Sequence, residues 1–280
     1  MKITSQILSS KKESQVLENG GITLSVSKAK TFDECKARFR FCYIEKLPRK
    51  EWDFHVFGKF LHEILENFHK ELLNDQSLDH NNLMSSCFKE ATKNYSLSKE
   101  HKDEAYKIID GYLNIIKTQS KKKILPEVIA VEKDFYIDIG HSVLLNGFID
   151  RVQVDHDGIL HVADYKTTKD KKYLTDFFQL LTYAFVLMLE DSSINKIRAS
   201  YILLRHDFEY VTKEFTRNEV MKVAEKFLNF ASEINKEKLW EPSPRFLCKY
   251  CDYLDSCKEG KSFLVKRNII KLAEYGASEW

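Results

Sequence analysis

The segment from residue 146 to residue 168 constrains the fold most, because it alternates like two β-strands around one turn. A three-residue loop at 156–158 that ends in glycine is typical of a hairpin with a glycine bulge. The register then aligns four pairs: Asp155 with Ile159, Val154 with Leu160, Val152 with Val162, and Asp150 with Asp164. A shorter, two-residue turn would pair Val154 with His161 and mix apolar with polar faces, so we favour the longer loop.

One face of this hairpin ends in charged side chains. Side chains alternate along a strand, so the even positions share a face. That face carries Val152, Val154, Leu160 and Val162 and ends in Asp150, Asp164 and Lys166, whereas the other, mostly polar face carries Arg151, Gln153, Asp155, His161 and Tyr165. Opposed carboxylates repel unless a cation lies between them, and a hard divalent ion meets that need. Lys166 would point at the same ion and its bound water. The alternative is an edge hairpin whose charges reach solvent.

Composition fits a globular protein without a membrane partner. Of the 280 residues, 43% are hydrophobic and 31% charged, and no apolar run reaches membrane-spanning length. The first residues lack the apolar core of a signal peptide, so we expect a cytoplasmic location. The net charge is only +2, so any contact with DNA must come from local patches such as 121–123 or 169–172. Each of these patches is equally compatible with a solvated helix end or loop.

Six cysteines in a cytoplasmic chain favour metal ligands or buried apolar residues over disulfides. Three of them, Cys248, Cys251 and Cys257, are spaced tightly enough to hold a metal ion or an iron–sulfur cluster. Thiolates at this spacing suit a tetrahedral zinc or a [4Fe–4S] cluster, and the spacing does not choose between them. Cys87 has no partner at such a spacing, and we expect it to be buried.

Strands and helices mix in an α/β order along the chain. Helices are predicted after Lys30, at 58–73, at 80–95, at 99–120, at 172–190, at 217–236 and at 261–274. Strands are predicted at 126–139, in the hairpin and in two runs between 196 and 215. We therefore expect a central mixed sheet flanked by helices in one domain.

Four motifs occur in a recognisable order: Gly58 to Glu63, Gly147 to Arg151, Asp164 to Thr167 and Gln179 to Tyr183. This ordered set resembles the RecB-like branch of the PD-(D/E)XK nucleases. The cysteines near both ends are similar to those of AddB-type and CRISPR-associated iron–sulfur nucleases. The resemblance covers most of the chain. It implies a restriction-endonuclease-like core in a single nuclease domain, 1–280, with a helical insertion at 75–126 and a cysteine-rich loop at 240–260 that closes onto the N-terminal helix.

The resemblance also implies roles for individual residues. His62, Asp150, Asp164 and the backbone carbonyl of Tyr165 would hold Mg²⁺ or Mn²⁺, and Lys166 would orient the attacking water. Gln179 and Tyr183, four residues apart on a helix, would contact the substrate backbone or orient the metal-site residues. Cys35 would join Cys248, Cys251 and Cys257 around a [4Fe–4S] cluster, with zinc as the alternative and Cys42 as the rival of Cys35. Glu132, in the strand before the hairpin, is assigned no ligand role, and His69 is expected to be structural.

Together with the hairpin carboxylates, the resemblance implies a metal-dependent deoxyribonuclease, an exonuclease acting in DNA processing, recombination or repair and encoded by a phage or mobile element. Its substrate would be DNA with a single-stranded end or region, and its partner a helicase or recombination protein. A CRISPR-adaptation nuclease remains an alternative. A catalytically idle DNA-binding component of a larger complex also remains open. A zinc-ribbon regulatory protein would explain the cysteines but leaves the hairpin carboxylates without a purpose.

Overall fold

The computed structural model describes residues 20–171 and 174–270, and six strands within them form one sheet. The strands are β1 Ile22–Leu24, β2 Glu127–Asp138, β3 Val143–Val154, β4 Leu160–Lys166, β5 Lys196–Leu203 and β6 Glu209–Thr216. Their order is β1-β3-β4-β5-β6, and β2 pairs with β3. Strands β4 and β5 are parallel, whereas β2–β3, β3–β4 and β5–β6 are antiparallel. The sheet is therefore mixed, as predicted, and the α/β fold class is confirmed.

Eight α-helices lie within the described residues. They are α1 Val26–Glu34, α2 Lys36–Phe39, α3 Asp53–Asn74, α4 His80–Asn94, α5 Lys99–Lys121, α6 Phe178–Glu190, α7 Arg217–Lys236 and α8 Lys258–Lys266. The described chain divides into two compact units, one of residues 20–23 and 53–226 and the other of residues 24–52 and 227–270. None of the described helices has the length and apolarity needed to cross a membrane.

The hairpin of the first unit has the predicted register. Strands β3 and β4 pair Val154 with Leu160 and Val152 with Val162, and Asp155 N–H donates to the Ile159 carbonyl at 3.0 Å. Gly158 has a φ of 80°, which the bulged loop requires and which glycine adopts without strain. The pairing ends at Arg151 and Ala163, so Asp150 and Asp164 are not a ladder pair as the sequence suggested.

Both faces of the hairpin are buried, although its odd-numbered face is polar in sequence. Helices α3, α4 and α5 cover that face with an apolar cluster that includes Phe60, Phe68 and Met84 and reaches Ala163 and Tyr165 of β4. Cys87 lies in the cluster, as predicted. The polar side chains of this face take part in a buried hydrogen-bond network. The Arg151 guanidinium donates to the Tyr112 hydroxyl at 2.8 Å, and the Tyr112 hydroxyl lies 2.6 Å from His69 Nε2. His69 is therefore a buried member of this network.

Three predicted helix boundaries are wrong. Helix α3 begins at Asp53 rather than at 58, because the apolar stripe continues back to the fully buried Phe57. Helix α6 begins at Phe178, where its N–H donates to Asp176 Oδ1 at 2.9 Å; the predicted start, Lys172, lies outside the described residues. Helix α8 begins at Lys258 and ends at Lys266, so it stops before the predicted end, and residues 271–274 lie outside the described residues.

In the second unit, the predicted helix after Lys30 is broken at Cys35. Helix α1 begins earlier, at Val26, and Cys35 is extended with φ −166° and ψ 110° before α2 starts. The broken helix is held by aromatic packing, because the Phe39 ring stacks on Trp240 with centroids 5.8 Å apart. Lys36 forms an ion pair with Glu237. Because of this break, the Cys35 side chain does not follow the direction that a continuous helix would give it.

Candidate active site

Strands β3 and β4 separate beyond the Arg151–Ala163 pair, where the two aspartates of the hairpin lie. Instead of a ladder bond, Tyr165 N–H donates to Asp150 Oδ2 at 2.9 Å. Asp150 is about nine-tenths buried and Asp164 is 2% exposed. The side-chain bond fixes the Asp150 carboxylate, and both carboxylates lie where β3 and β4 separate.

Helix α3 brings His62 to this opening. Its imidazole lies between the Tyr165 carbonyl oxygen, 3.0 Å from Nε2, and Asp150 Oδ2, 3.4 Å from Nδ1. The approach depends on Gly58, one turn earlier, because a Cβ there would lie 3.3 Å from Thr167 Oγ1. Burial lowers the pKa of His62, with a further lowering by Lys166 and an opposing effect of Asp164. A neutral imidazole is the form that binds a metal ion.

Glu132 belongs to this cluster, although the sequence analysis gave it no ligand role. One ligand atom from each of His62, Glu132 and Asp150 lies within 4.8 Å of the others. The β2–β3 register pairs Val131 with Arg151 and Lys133 with Ile149 but skips Glu132, which has a φ of 42°. A left-handed glutamate costs about 1–3 kcal/mol and is typical of functional sites. The same register places Glu132 directly opposite Asp150, and residues opposite each other in an antiparallel pair have their side chains on one face.

Lys166, Gln179, Tyr183 and Asp164 form a closed ring of polar contacts. Lys166 Nζ lies 2.5 Å from Asp164 Oδ2 and donates to Gln179 Oε1 at 3.0 Å. Gln179 Nε2 donates to the Tyr183 hydroxyl at 2.8 Å, and that hydroxyl donates to Asp164 Oδ1 at 3.5 Å. Helix α6 thus holds the ammonium group and the carboxylate of β4 in one fixed arrangement.

Gly147 leaves space for the Phe135 side chain, which packs against Tyr183 of this set of polar contacts. A Cβ at Gly147 would lie 2.7 Å from Cζ of Phe135, its partner across the β2–β3 ladder. The Phe135 ring also packs edge-on against Tyr183, with centroids 6.4 Å apart. The motif Gly147 to Arg151 therefore begins with glycine because the Phe135 ring occupies the space of a side chain.

The electrostatics of the cluster fit a divalent cation. Burial, and next the negative charge of Asp164, raise the pKa of Asp150 well above its usual value. Burial raises the pKa of Glu132, with a further contribution from Glu66. Carboxylates crowded in this way are stabilised when a cation lies between them. Two or three carboxylates, one imidazole and a backbone carbonyl are also ligands that Mg²⁺ and Mn²⁺ accept.

The four cysteines considered as cluster ligands lie together in the second unit. All four line one pocket of about 320 Å³, its open mouth included. Backbone N–H groups point at three sulfurs, from Ser243 to Cys35 at 3.5 Å, from Arg245 to Cys248 at 3.3 Å and from Gly260 to Cys257 at 3.3 Å. The rival, Cys42, does not line the pocket, and its sulfur contacts the Arg49 guanidinium instead.

Comparisons with known proteins agree with this geometry. The family model described as the PD-(D/E)XK nuclease superfamily matches residues 23–258. One component of the ATP-dependent helicase/deoxyribonuclease of Streptococcus pyogenes serotype M6 is 25% identical over 205 residues, which are 67% of this chain and 19% of that protein. The same component from serotype M18 matches equally. The matched region thus spans about a fifth of these relatives.

One solved structure shares the fold. It is a protein from Eubacterium rectale, provisionally described as an exonuclease, with a TM-score of 0.51 at 14% identity, covering 90% of this chain and 92% of the other. At that identity the likeness concerns the fold alone. The family model matches most of the chain, and the hairpin carboxylates, the lysine and the glutamine–tyrosine pair converge in one site. The chain belongs to the PD-(D/E)XK nuclease superfamily.

Proposed function

We propose that the protein is a metal-dependent deoxyribonuclease that removes nucleotides from DNA ends. The observation that carries the proposal is the convergence of His62, Glu132 and Asp150 within 4.8 Å beside the Asp164–Lys166 pair. A purely structural hairpin gains nothing from crowding buried carboxylates, because each charge loses its hydration. The family supports nuclease chemistry, and the relatives from S. pyogenes support DNA as the substrate.

The metal ligands in this proposal are His62, Asp150, Asp164 and the Tyr165 carbonyl, and Glu132 joins them through its position. A bound Mg²⁺ or Mn²⁺ would activate water and neutralise phosphate charge. Tyr165 N–H orients the Asp150 carboxylate, and the His62 imidazole lies between Asp150 and the Tyr165 carbonyl. The positions of these metal-binding atoms are therefore fixed before an ion binds.

Besides the metal ion, the catalytic group in this proposal is the Lys166 side chain. Its ammonium group would orient the attacking water and stabilise negative charge that develops on the phosphate. Gln179 accepts from Lys166 and Tyr183 supports Gln179, so this pair positions the ammonium group. The exposed fraction of the lysine side chain, 29%, leaves it accessible to a substrate.

The cysteine pocket would hold a [4Fe–4S] cluster that ties α2 to the loop at 240–260 in a single nuclease domain of residues 1–280. Amide donors to three sulfurs suit a cluster of thiolates. A zinc ion would draw its four sulfurs to about 3.8 Å of one another, given bonds of about 2.3 Å. Zinc is the alternative occupant, because the spacing of the four cysteines suits either group.

The biological setting we propose is the processing, recombination or repair of DNA in the cytoplasm, with a helicase or recombination protein as the partner and residues 75–126 as a helical insertion. The support is the similarity to a component of a helicase/deoxyribonuclease. An origin in a phage or mobile element and a preference for single-stranded ends belong to the same proposal.

The decisive experiment follows the cutting of end-labelled single- and double-stranded DNA in Mg²⁺ or Mn²⁺. The parent should release short products from an end, and Lys166→Ala should cut at least about 100-fold more slowly. Lys196→Ala is the matched control, since Lys196 also pairs with a carboxylate, Glu214, but at an exposed position of β5. It should cut at the parent's rate. Parent protein that binds DNA but never cuts it would indicate an idle DNA-binding protein instead.

A further inference from the structure

The second unit exposes a group of aromatic rings that its core does not use. We call it the aromatic platform and define it as Trp52, Phe246 and Tyr250 with Lys50 and Lys249. Phe246 is 53% exposed and Tyr250 is 48% exposed, and Leu247 between them is 56% exposed. Large apolar side chains side by side on a surface commonly mark a binding site.

The members of the platform form a continuous series of contacts. Lys249 Nζ lies 4.0 Å from the centroid of Phe246 and 4.7 Å from that of Tyr250. The Tyr250 ring meets Trp52 edge-on at 6.0 Å, and Lys50 Nζ lies 4.2 Å over the Trp52 ring. Three rings and two lysines therefore form one series of contacts, with Lys249 between two rings and Lys50 at its end.

The cysteine pocket gives these rings a rigid support. Phe246 to Tyr250 is a 3₁₀ turn with Cys248 at its centre, and the sulfur of Cys248 faces the pocket. Trp52 is anchored by its indole N–H, which donates to Asp252 Oδ1 at 2.8 Å. Rigid rings lose little conformational entropy when a ligand stacks on them.

The charge of the platform selects a negatively charged ligand. Lys50 and Lys249 lie over the rings, and among the described residues neither forms an ion pair with a carboxylate. An apolar protein partner would need the rings but not the two ammonium groups beside them. Unpaired nucleobases offer flat faces for the rings, and their phosphates offer charge for the lysines. In a duplex those base faces are already stacked on one another.

We propose that the aromatic platform binds single-stranded DNA by stacking unpaired bases on Phe246 and Tyr250, while Lys249 and Lys50 contact the phosphates. The proposal rests on the proposed function for its choice of DNA. It adds a binding surface in the second unit that recognises the single-stranded form.

The test measures binding without divalent ions, so that cutting does not contribute. Fluorescence anisotropy would report the Kd of a labelled thymidine oligonucleotide of about 15 nucleotides, near the upper end of known site sizes. The parent should bind it more tightly than a blunt duplex. Phe246→Ala combined with Tyr250→Ala should weaken binding at least about tenfold, and Tyr250→Phe should retain the parent's affinity. Tyr106→Ala, which removes a 65% exposed tyrosine from α5, is the control and should change nothing.

Two further measurements separate stacking from charge. A strand of abasic sugar-phosphates should bind the parent about tenfold more weakly than the thymidine strand, and the double variant should bind both equally. Lys249→Gln should reduce the slope of log affinity against log salt by about 0.7.

Equal binding of the thymidine and abasic strands by the parent would overturn the proposal without depending on any variant. Unchanged DNA affinity with a loss of self-association in the double variant would identify the platform as a protein contact and would also overturn it. Neither result involves cutting, so a failure of the platform is distinguishable from a failure of the nuclease assignment.

Discussion

Replacing Asp150 by asparagine should raise the stability of the metal-free protein. It should also reduce the stabilisation that a bound metal ion provides. The substitution keeps the shape of the side chain and an oxygen that can accept the Tyr165 N–H bond. It removes a charge whose pKa is raised well above the usual value, first by burial and then by Asp164. Without an ion, that charge opposes folding.

The sign of the pH dependence follows from this raised pKa. The folded protein retains a proton on Asp150 where the unfolded chain, with a pKa of about 3.9, has released it. The stability of the metal-free parent should therefore fall as the pH rises from about 4 through the raised pKa. Asp150→Asn should lack this loss, so the difference in melting temperature should grow over the same range.

The size of the metal effect can be estimated. An ion present at 100 times its Kd stabilises the folded state by about 2.7 kcal/mol. An unfolding entropy of about 2.1 cal/mol/K per residue gives about 0.6 kcal/mol/K for 280 residues. The parent should therefore melt about 5 °C higher with saturating Mn²⁺, and Asp150→Asn should lose most of that increase.

The assay is thermal unfolding of chelator-treated protein, repeated during a titration with Mn²⁺ or Mg²⁺. Asp155→Asn is the matched control. Although burial opposes it, hydrogen bonds from His161 and Arg198 hold the pKa of Asp155 below its usual range. That substitution should lower the melting temperature with and without metal and leave the metal-induced increase unchanged. The reasoning fails if Asp150→Asn keeps the full increase, or if it is less stable than the parent at pH 7 without metal.

Three other substitutions test separate parts of the molecule. His62→Ala should abolish cutting with a change in melting temperature of less than about 2 °C, since the side chain is 31% exposed and its removal leaves little cavity; a large loss of stability with cutting preserved would indicate a core residue. Gly147→Ala should destabilise by about 1–3 kcal/mol in denaturant unfolding, whereas Gly111→Ala, with nothing within 4 Å, should be neutral or stabilise by up to about 1 kcal/mol. Cys35→Ser should lower soluble yield and remove iron and sulfide from protein purified without oxygen, because the cluster closes a very long loop; Cys87→Ser should leave the iron content unchanged.

The alternation of apolar residues determined the hairpin and its register. A shift by one residue would have moved every side chain to the opposite face, so the pattern from Val152 to Val162 permits one alignment. Helix periodicity likewise predicted α4, α5 and α7 within one or two residues. These features depend on neighbours along the chain, and the sequence displays them directly.

The details of the candidate site depend on contacts between distant segments. Glu132 lies opposite Asp150 through the β2–β3 register, which neither strand sets by its own sequence pattern. Where the hairpin opens, the Asp150 side chain replaces a backbone partner for Tyr165. The periodicity of a single strand predicts neither contact, since one depends on how two strands pair and the other on a side chain that bonds a backbone N–H.

The burial of the polar face of the hairpin also depends on contacts between distant segments. Arg151 and His161 are 3% and 2% exposed, although a polar strand face predicts contact with solvent. The sequence determined the alternation, but only the tertiary structure decided that helices would cover the polar face as well. The physical reason is that a buried polar side chain is tolerated when partners such as Tyr112 satisfy its hydrogen bonds, and those partners come from helices remote in sequence.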